Sequence, residues 1–174
     1  CEELANDFTK ANIRPSSIVC ATGSGGTQAG LMVGSILHHL ALSVYGVNVC
    51  DHAAWFERKI AADIDDWLVR FPEFNDTYDW SSLRSLVIDG YVGEGYGRAS
   101  NEVLATIRQL AMLEGVVFDP VYSGKAFHGL LQEIAAGRFA SAQDIVFIHT
   151  GGIFGVFPYA QQFSSLLPQT EPTA

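Results

Sequence analysis

Short β-branched runs alternate along the chain with longer stretches in which apolar residues recur every three or four positions, and that alternation sets the expected architecture. Residues 17–22 (SIVCAT) read as a strand, three glycines follow, and 27–42 repeats apolar side chains at helical spacing. The unit then recurs. Residues 43–49 (SVYGVNV) form the next strand, and in 51–70 the side chains of Ala54, Phe56, Ile60, Ile64, Trp67 and Leu68 make one apolar helical stripe. Residues 71–85 keep neither period and read as a loop or insertion. Further strands are expected at 86–88 (LVI), 116–118 (VVF) and 145–149 (IVFIH). Helices are expected from the Ser100 cap through Glu114, and over 123–136 closed by Gly137.

Parallel strands need crossover connections, so five short apolar strands alternating with helices predict an open, doubly wound α/β fold with helices on both faces of a parallel sheet. One domain is expected over 1–167, followed by a frayed tail at 168–174 (PQTEPTA). Hydrophobic residues make up 48% of the chain, ample for a core, but charged residues only 17% against roughly 25% in an ordinary soluble domain. One face is therefore expected to pack against something else. The formal charge of -9 would repel a phosphate backbone and an anionic bilayer, which argues against nucleic acid and membrane as partners. The longest apolar run, 30–49, is interrupted by Gly34, Ser35, His38, His39, Ser43 and Gly46, so no bilayer span is expected, and no secretory signal is visible. Cys1, Cys20 and Cys50 are too widely spaced for a metal knuckle and fit reduced thiols in the cytoplasm.

In an open parallel sheet a ligand lies beyond the carboxyl ends of the strands, so the informative residues are those just after each strand. Four such loops stand out: 23–27 (GSGGT), 89–98 (DGYVGEGYGR), 119–125 (DPVYSGK) and 149–152 (HTGG). The first leads into a helix, whose free amides and dipole suit a phosphate. A dinucleotide fingerprint would need glycine where Gln28 stands and an acidic residue about 20 positions on, nearer than Asp51. A triphosphate loop would need Lys and Ser or Thr after its last glycine, which neither Gly26 nor Gly30 has. A nucleotide-dependent oxidoreductase is thereby disfavoured. The adjacent His38 and His39 lie on different helix faces, and Asp63, Asp65 and Asp66 are spread around a helix, so neither set converges on a metal. His128 reads as structural, and His149 as a residue that orients its loop through a hydrogen bond.

The segments ATGSGGTQAGL (21–31), GYGRASNEV (95–103), LEGVVFDPVYSGKAFHGL (113–130) and FIHTGGIFGVFPY (147–159), in that order, resemble the D-cysteine desulfhydrase group. That group stands with 1-aminocyclopropane-1-carboxylate deaminase among pyridoxal-phosphate enzymes of fold type II, the tryptophan synthase β type. The resemblance implies that Gly23, Ser24, Gly25, Gly26 and Thr27 cradle the cofactor phosphate, and that Tyr96 and Tyr122 are the two catalytic tyrosines. It implies that Ser123 faces the pyridine nitrogen and that Thr150 and Gly151 line the ring and substrate side. A hydroxyl at 123 makes a weaker electron sink than the deaminase's carboxylate, which favours prompt loss of a β-substituent. The implied reaction is β-elimination from D-cysteine to pyruvate, sulfide and ammonia, in a cytoplasmic homodimer acting on a small amino acid. The family's Schiff-base lysine has no counterpart, because Lys10, Lys59 and Lys125 lie in no such motif. The chain thus resembles the later part of such an enzyme, an incomplete large domain inactive by itself, and the non-Met start fits a fragment. The alternatives are a catalytically inert phosphate-ligand module and a deaminase-like activity on aminocyclopropane carboxylate.

Overall fold

A computed structural model describes residues 1–166 of the chain, so the tail expected at 168–174 lies outside the described residues. Its elements are α1 (Glu2–Ala11), β1 (Ser17–Thr22), α2 (Gly26–Leu37), β2 (Ser43–Asn48), α3 (Ala53–Arg70), β3 (Leu86–Ile88), α4 (Asn101–Glu114), α5 (Ser123–Ala135), β4 (Ile145–Phe147) and α6 (Ala160–Ser165). Three 3₁₀ turns, Pro72–Phe74, Trp80–Ser82 and Ile153–Tyr159, fill the connections. The four strands are parallel in the order β3-β2-β1-β4. The chain moves outward from β1 to β3, then returns to the other flank of β1. That reversal leaves a crevice between β1 and β4, the place where open α/β sheets take ligands.

Alternation along the strands divides the core in two. Ile18, Val44, Val87 and Val146 face α2 and α3, where they meet Met32, Val33, Phe56 and Ile60. Val19, Tyr45, Val47, Ile88 and Phe147 face α5, through Ala126 and Leu130. Helix α4 packs on α5 through Val103, Leu104 and Ile107, which join Phe118 and Phe127. Helices thus cover both faces, as the alternation of strands and helices predicts.

The polar exception sits under β2. Gln28 is fully buried, accepts from Thr22 Oγ1 at 2.8 Å and donates to the Leu86 carbonyl at 2.9 Å. It reaches across Gly46, where a Cβ would come within 1.9 Å of its Oε1. At the position where a dinucleotide fingerprint has its third glycine, this chain instead uses a side chain that ties β1, α2 and β3 together.

Several expected boundaries move, three of them with a consequence for the fold. Residues 116–118 do not form a strand, so among the described residues the sheet has four members and not five. Phe118 is buried, with its ring 5.2 Å from Phe147 and 4.7 Å from His149, and the next amide, of Asp119, goes to Ser123 Oγ at 3.1 Å. An apolar triplet that packs by its side chains carries the same local pattern as one that pairs. Helix α2 stops at Leu37, short of 42, because His39 turns left-handed at φ 52° and the amides of His39 and Leu40 close back on the carbonyls of Ile36 and Ser35. That is a Schellman closure with histidine where glycine is usual, hence the missing sequence signal. Strand β4 ends at Phe147, two residues early, although Ile148 still donates to the Val19 carbonyl at 2.9 Å. The α4 boundaries fall as expected, between the Ser100 cap and the left-handed Gly115. Residues 71–85 fold as an aromatic cluster in which Trp67 meets Phe71, Phe74 and Trp80. Among the described residues, no helix is long and apolar enough to cross a membrane.

Candidate functional site

The turns after β1 and β4 face each other across the crevice, and the turn that opens α5 closes its floor. Together they bound a cleft of about 360 Å³ lined by Ala21, Gly23, Ser24, Gly25, Thr27, Asp119, Tyr122, Thr150, Gly151 and Gly152. Gly25 caps α2 in the left-handed region at φ 85°, and the first intrahelical bond runs from the Ala29 amide to the Gly25 carbonyl. The amides before it in the first turn have no helical partner and point out of the helix end, next to the hydroxyls of Ser24 and Thr27. A Cβ on Gly23 would stand 2.8 Å from Tyr122 Cε1, so glycine is what lets the tyrosine ring lie against this loop. No lysine or arginine lines the cleft. Backbone amides, hydroxyls and the helix dipole are therefore the groups that can hold an anion here. The volume and donor set fit a phosphorylated ring of pyridoxal size.

Asp119 borders this cleft with a carboxylate that would repel an anion if it were free. It is 3% exposed and saturated instead: Oδ2 accepts the amides of Val121 and Tyr122, each at 2.8 Å, and Oδ1 accepts the amide and hydroxyl of Ser123 at 2.8 and 2.6 Å. The charge is spent on fixing the turn that aims Tyr122. Ser123 pays no visit to the cleft in consequence. It is fully buried, and its hydroxyl both donates to Asp119 and accepts from the Asp119 amide.

Tyr96 and Tyr122 come from loops 26 residues apart, and their hydroxyls share a short hydrogen bond with the rings edge to face at 5.8 Å. The bond to Tyr96, with partial burial and the neighbouring Cys50 and Asp119, pushes the Tyr122 phenol up to about 12. Tyr122 thus keeps its proton further into the alkaline range than an ordinary phenol, and either hydroxyl of the pair can be the donor. His149 orients its loop as expected: its Nδ1 accepts from the Gly151 amide at 3.2 Å, while its ring stands edge-on to Phe118. His128 is held by Thr106 at 2.9 Å in the α4–α5 contact, with burial lowering its proton affinity, a structural placement. Lys10 is exposed, Lys59 pairs with Asp63, and Lys125 is buried against the carbonyls of Val92 and Gly95.

Of the residues singled out from the sequence, the fold brings Gly23, Ser24, Gly25, Thr27, Tyr122, Thr150 and Gly151 to one cleft, with Gly26 opening α2 beside them and Tyr96 joined through Tyr122. Ser123 stands behind the wall. Sequence reasoning missed Asp119 and Gly152 as lining residues. The Asp-Pro pair carried a turn signal only, and nothing local reveals that a Cβ on Gly152 would lie 3.0 Å from Asp119.

Comparison with known proteins finds relatives of this chain. The profile described as "Pyridoxal-phosphate dependent enzyme" matches residues 2–151. The bifunctional D-cysteine desulfhydrase/1-aminocyclopropane-1-carboxylate deaminase, mitochondrial, of Arabidopsis thaliana is 35% identical over 168 residues, which are 95% of this chain and 39% of that protein. The D-cysteine desulfhydrase of Serratia proteamaculans is 36% identical over 161 residues, 92% of this chain and 47% of its own length. A crystal structure of an ACC deaminase homologue superposes with a TM-score of 0.75 at 32% identity, over 95% of this chain and 48% of that one. The chain thus spans about half the length of these relatives or less.

Proposed function

Because the chain belongs to the pyridoxal-phosphate-dependent enzyme family, we propose that it carries the cofactor-phosphate side of a carbon–sulfur lyase of the D-cysteine desulfhydrase kind. The reaction is β-elimination, in which D-cysteine and water give pyruvate, hydrogen sulfide and ammonia. Pyridoxal phosphate, when bound, supplies the electron sink for breaking a bond at the amino acid's Cα. The observation that carries the reading is the convergence of Gly23–Thr27, Tyr122 and Thr150–Gly151 on one cleft at the point where the sheet reverses.

In this reading the amides and hydroxyls of residues 23–27 bind the phosphate, and Thr150 and Gly151 line the ring. Tyr96 and Tyr122 share one proton between their hydroxyls, and the second proton of the pair is the one offered to an anionic group of the substrate. Ser123 supplies no carboxylate toward the ring nitrogen, and its hydroxyl already donates to Asp119, which favours the weak-sink outcome of elimination. None of the three lysines borders the cleft, which supports a requirement for a lysine from outside these residues and inactivity of this chain alone. The unpaired thiols of Cys1, Cys20 and Cys50 support a cytoplasmic setting, and the exposed Phe154 and Phe157 support burial in a homodimer or against the remainder of the protein.

A second reading, deaminase-like action on 1-aminocyclopropane-1-carboxylate, is favoured by the double name of the Arabidopsis relative. Incubation of the whole protein with pyridoxal phosphate and each substrate separates the two. Equal yields of sulfide and pyruvate from D-cysteine are expected. Ammonia from the cyclopropane alone would favour the deaminase, and a cofactor-loaded protein that transforms neither would refute both.

A further inference from the structure

Lysine is among the residues least often fully buried, yet Lys125 is only 1% exposed. Its ammonium donates to the Val92 carbonyl at 2.6 Å and the Gly95 carbonyl at 2.8 Å. Both acceptors belong to the loop that carries Tyr96. Four glycines of that loop, Gly90, Gly93, Gly95 and Gly97, have positive φ, and a Cβ on any of them would meet nothing within 4 Å. Those four positions bring no side chain to pack or stiffen the segment, so its shape between them depends on what grips its backbone. Tyr91 holds its start through Glu133 at 2.8 Å, and the Tyr159 hydroxyl holds the Gly97 carbonyl near its end. Lys125 grips the middle, one residue from Tyr96.

Lys125 also lies in the first turn of α5, three positions after Tyr122. One rigid helix start therefore presents Tyr122 directly and sets the height of the loop that presents Tyr96. Tyr96 is 59% exposed, and its ring meets Tyr122 edge to face. We propose that Lys125 is a positioning residue that locks the glycine loop at Val92 and Gly95 and thereby keeps the Tyr96 hydroxyl on that of Tyr122. The proposal rests on the reading of the two tyrosines as the reacting pair.

The test uses the whole protein with Lys125→Met, which keeps the length of the side chain and removes its donors. The backbone order parameters of residues 92–98, measured by nuclear relaxation, are expected to fall from a rigid value of about 0.85 toward about 0.6 while those of α4 and β1 stay unchanged. The Tyr122 phenol, followed by ultraviolet titration, is expected to fall toward the ordinary tyrosine value as the Tyr96 bond is lost. The turnover number with D-cysteine is expected to drop about tenfold with pyridoxal phosphate affinity held, and Lys125→Met should add little in a Tyr96→Phe background. Unchanged order parameters at 92–98, or a full additional loss in that background, would overturn the proposal. If Lys125→Met fails to fold, the wild-type loop decides: order parameters below about 0.6 at 92–98 refute the anchor, and values near 0.85 sustain it. A wild-type protein that binds no pyridoxal phosphate sinks the functional reading, and the order and phenol readouts still judge Lys125.

Discussion

Replacing Asp119 by asparagine keeps the shape of the side chain and exchanges one acceptor oxygen for a donor NH₂. Both carboxylate oxygens are in use, so neither orientation of the amide is free. With the NH₂ at the Oδ1 position it confronts the Ser123 amide; at the Oδ2 position it confronts the amides of Val121 and Tyr122. The cheaper orientation leaves one buried donor unsatisfied, at about 1–3 kcal/mol. The surviving bonds lose their charge assistance, which roughly doubles the strength of such a bond, so a total of about 2–4 kcal/mol is expected. That is a large part of a typical folding free energy of about 5–15 kcal/mol. Urea unfolding of the whole protein should show the loss as a lower midpoint at unchanged slope. Since two of the affected amides belong to Tyr122 and its neighbour, pyridoxal phosphate affinity should weaken as well. An Asp119→Asn protein within about 0.5 kcal/mol of wild type would refute the argument that this carboxylate is saturated, because only a spare acceptor tolerates the exchange.

Gly46→Ala should be strongly destabilising, because its Cβ would overlap Gln28 Oε1 and lie 2.5 Å from Thr22 Oγ1; adding Gln28→Ala should recover part of the loss, and strictly additive melting shifts would count against the clash. Tyr122 has a folded value of about 12 against an ordinary 10. The native state therefore holds the proton more tightly, and this contribution to stability is complete below pH 10 and lost as pH rises toward 12. Tyr96→Phe, by removing the largest cause of the shift, should flatten that loss; an unaltered alkaline limb of the stability profile would show that the tyrosine pair is not coupled.

The sequence by itself determined what is encoded within a few neighbouring residues. Helical periodicity, the Ser100 cap, the left-handed glycines at 115 and 137 and the glycine loop at 23–27 all act over one turn, so they could be read directly and the fold bears them out. The α/β class follows from their order. The quoted motifs brought the family into view for the same reason, since each is a contiguous loop. Tertiary structure decided whatever depends on partners far along the chain. Residues 116–118 have a strand's pattern, but whether such a run pairs or packs depends on where Phe127, Phe147 and His149 lie. Gln28 looked like a broken fingerprint until Gly46 and Leu86 were placed around it. Likewise a lysine, a serine and an aspartate within seven residues do not announce that one holds a distant loop and the other two bind each other. Hydrogen bonds and burial are fixed by distance in space, and separation along the chain carries that information only where the backbone has just turned.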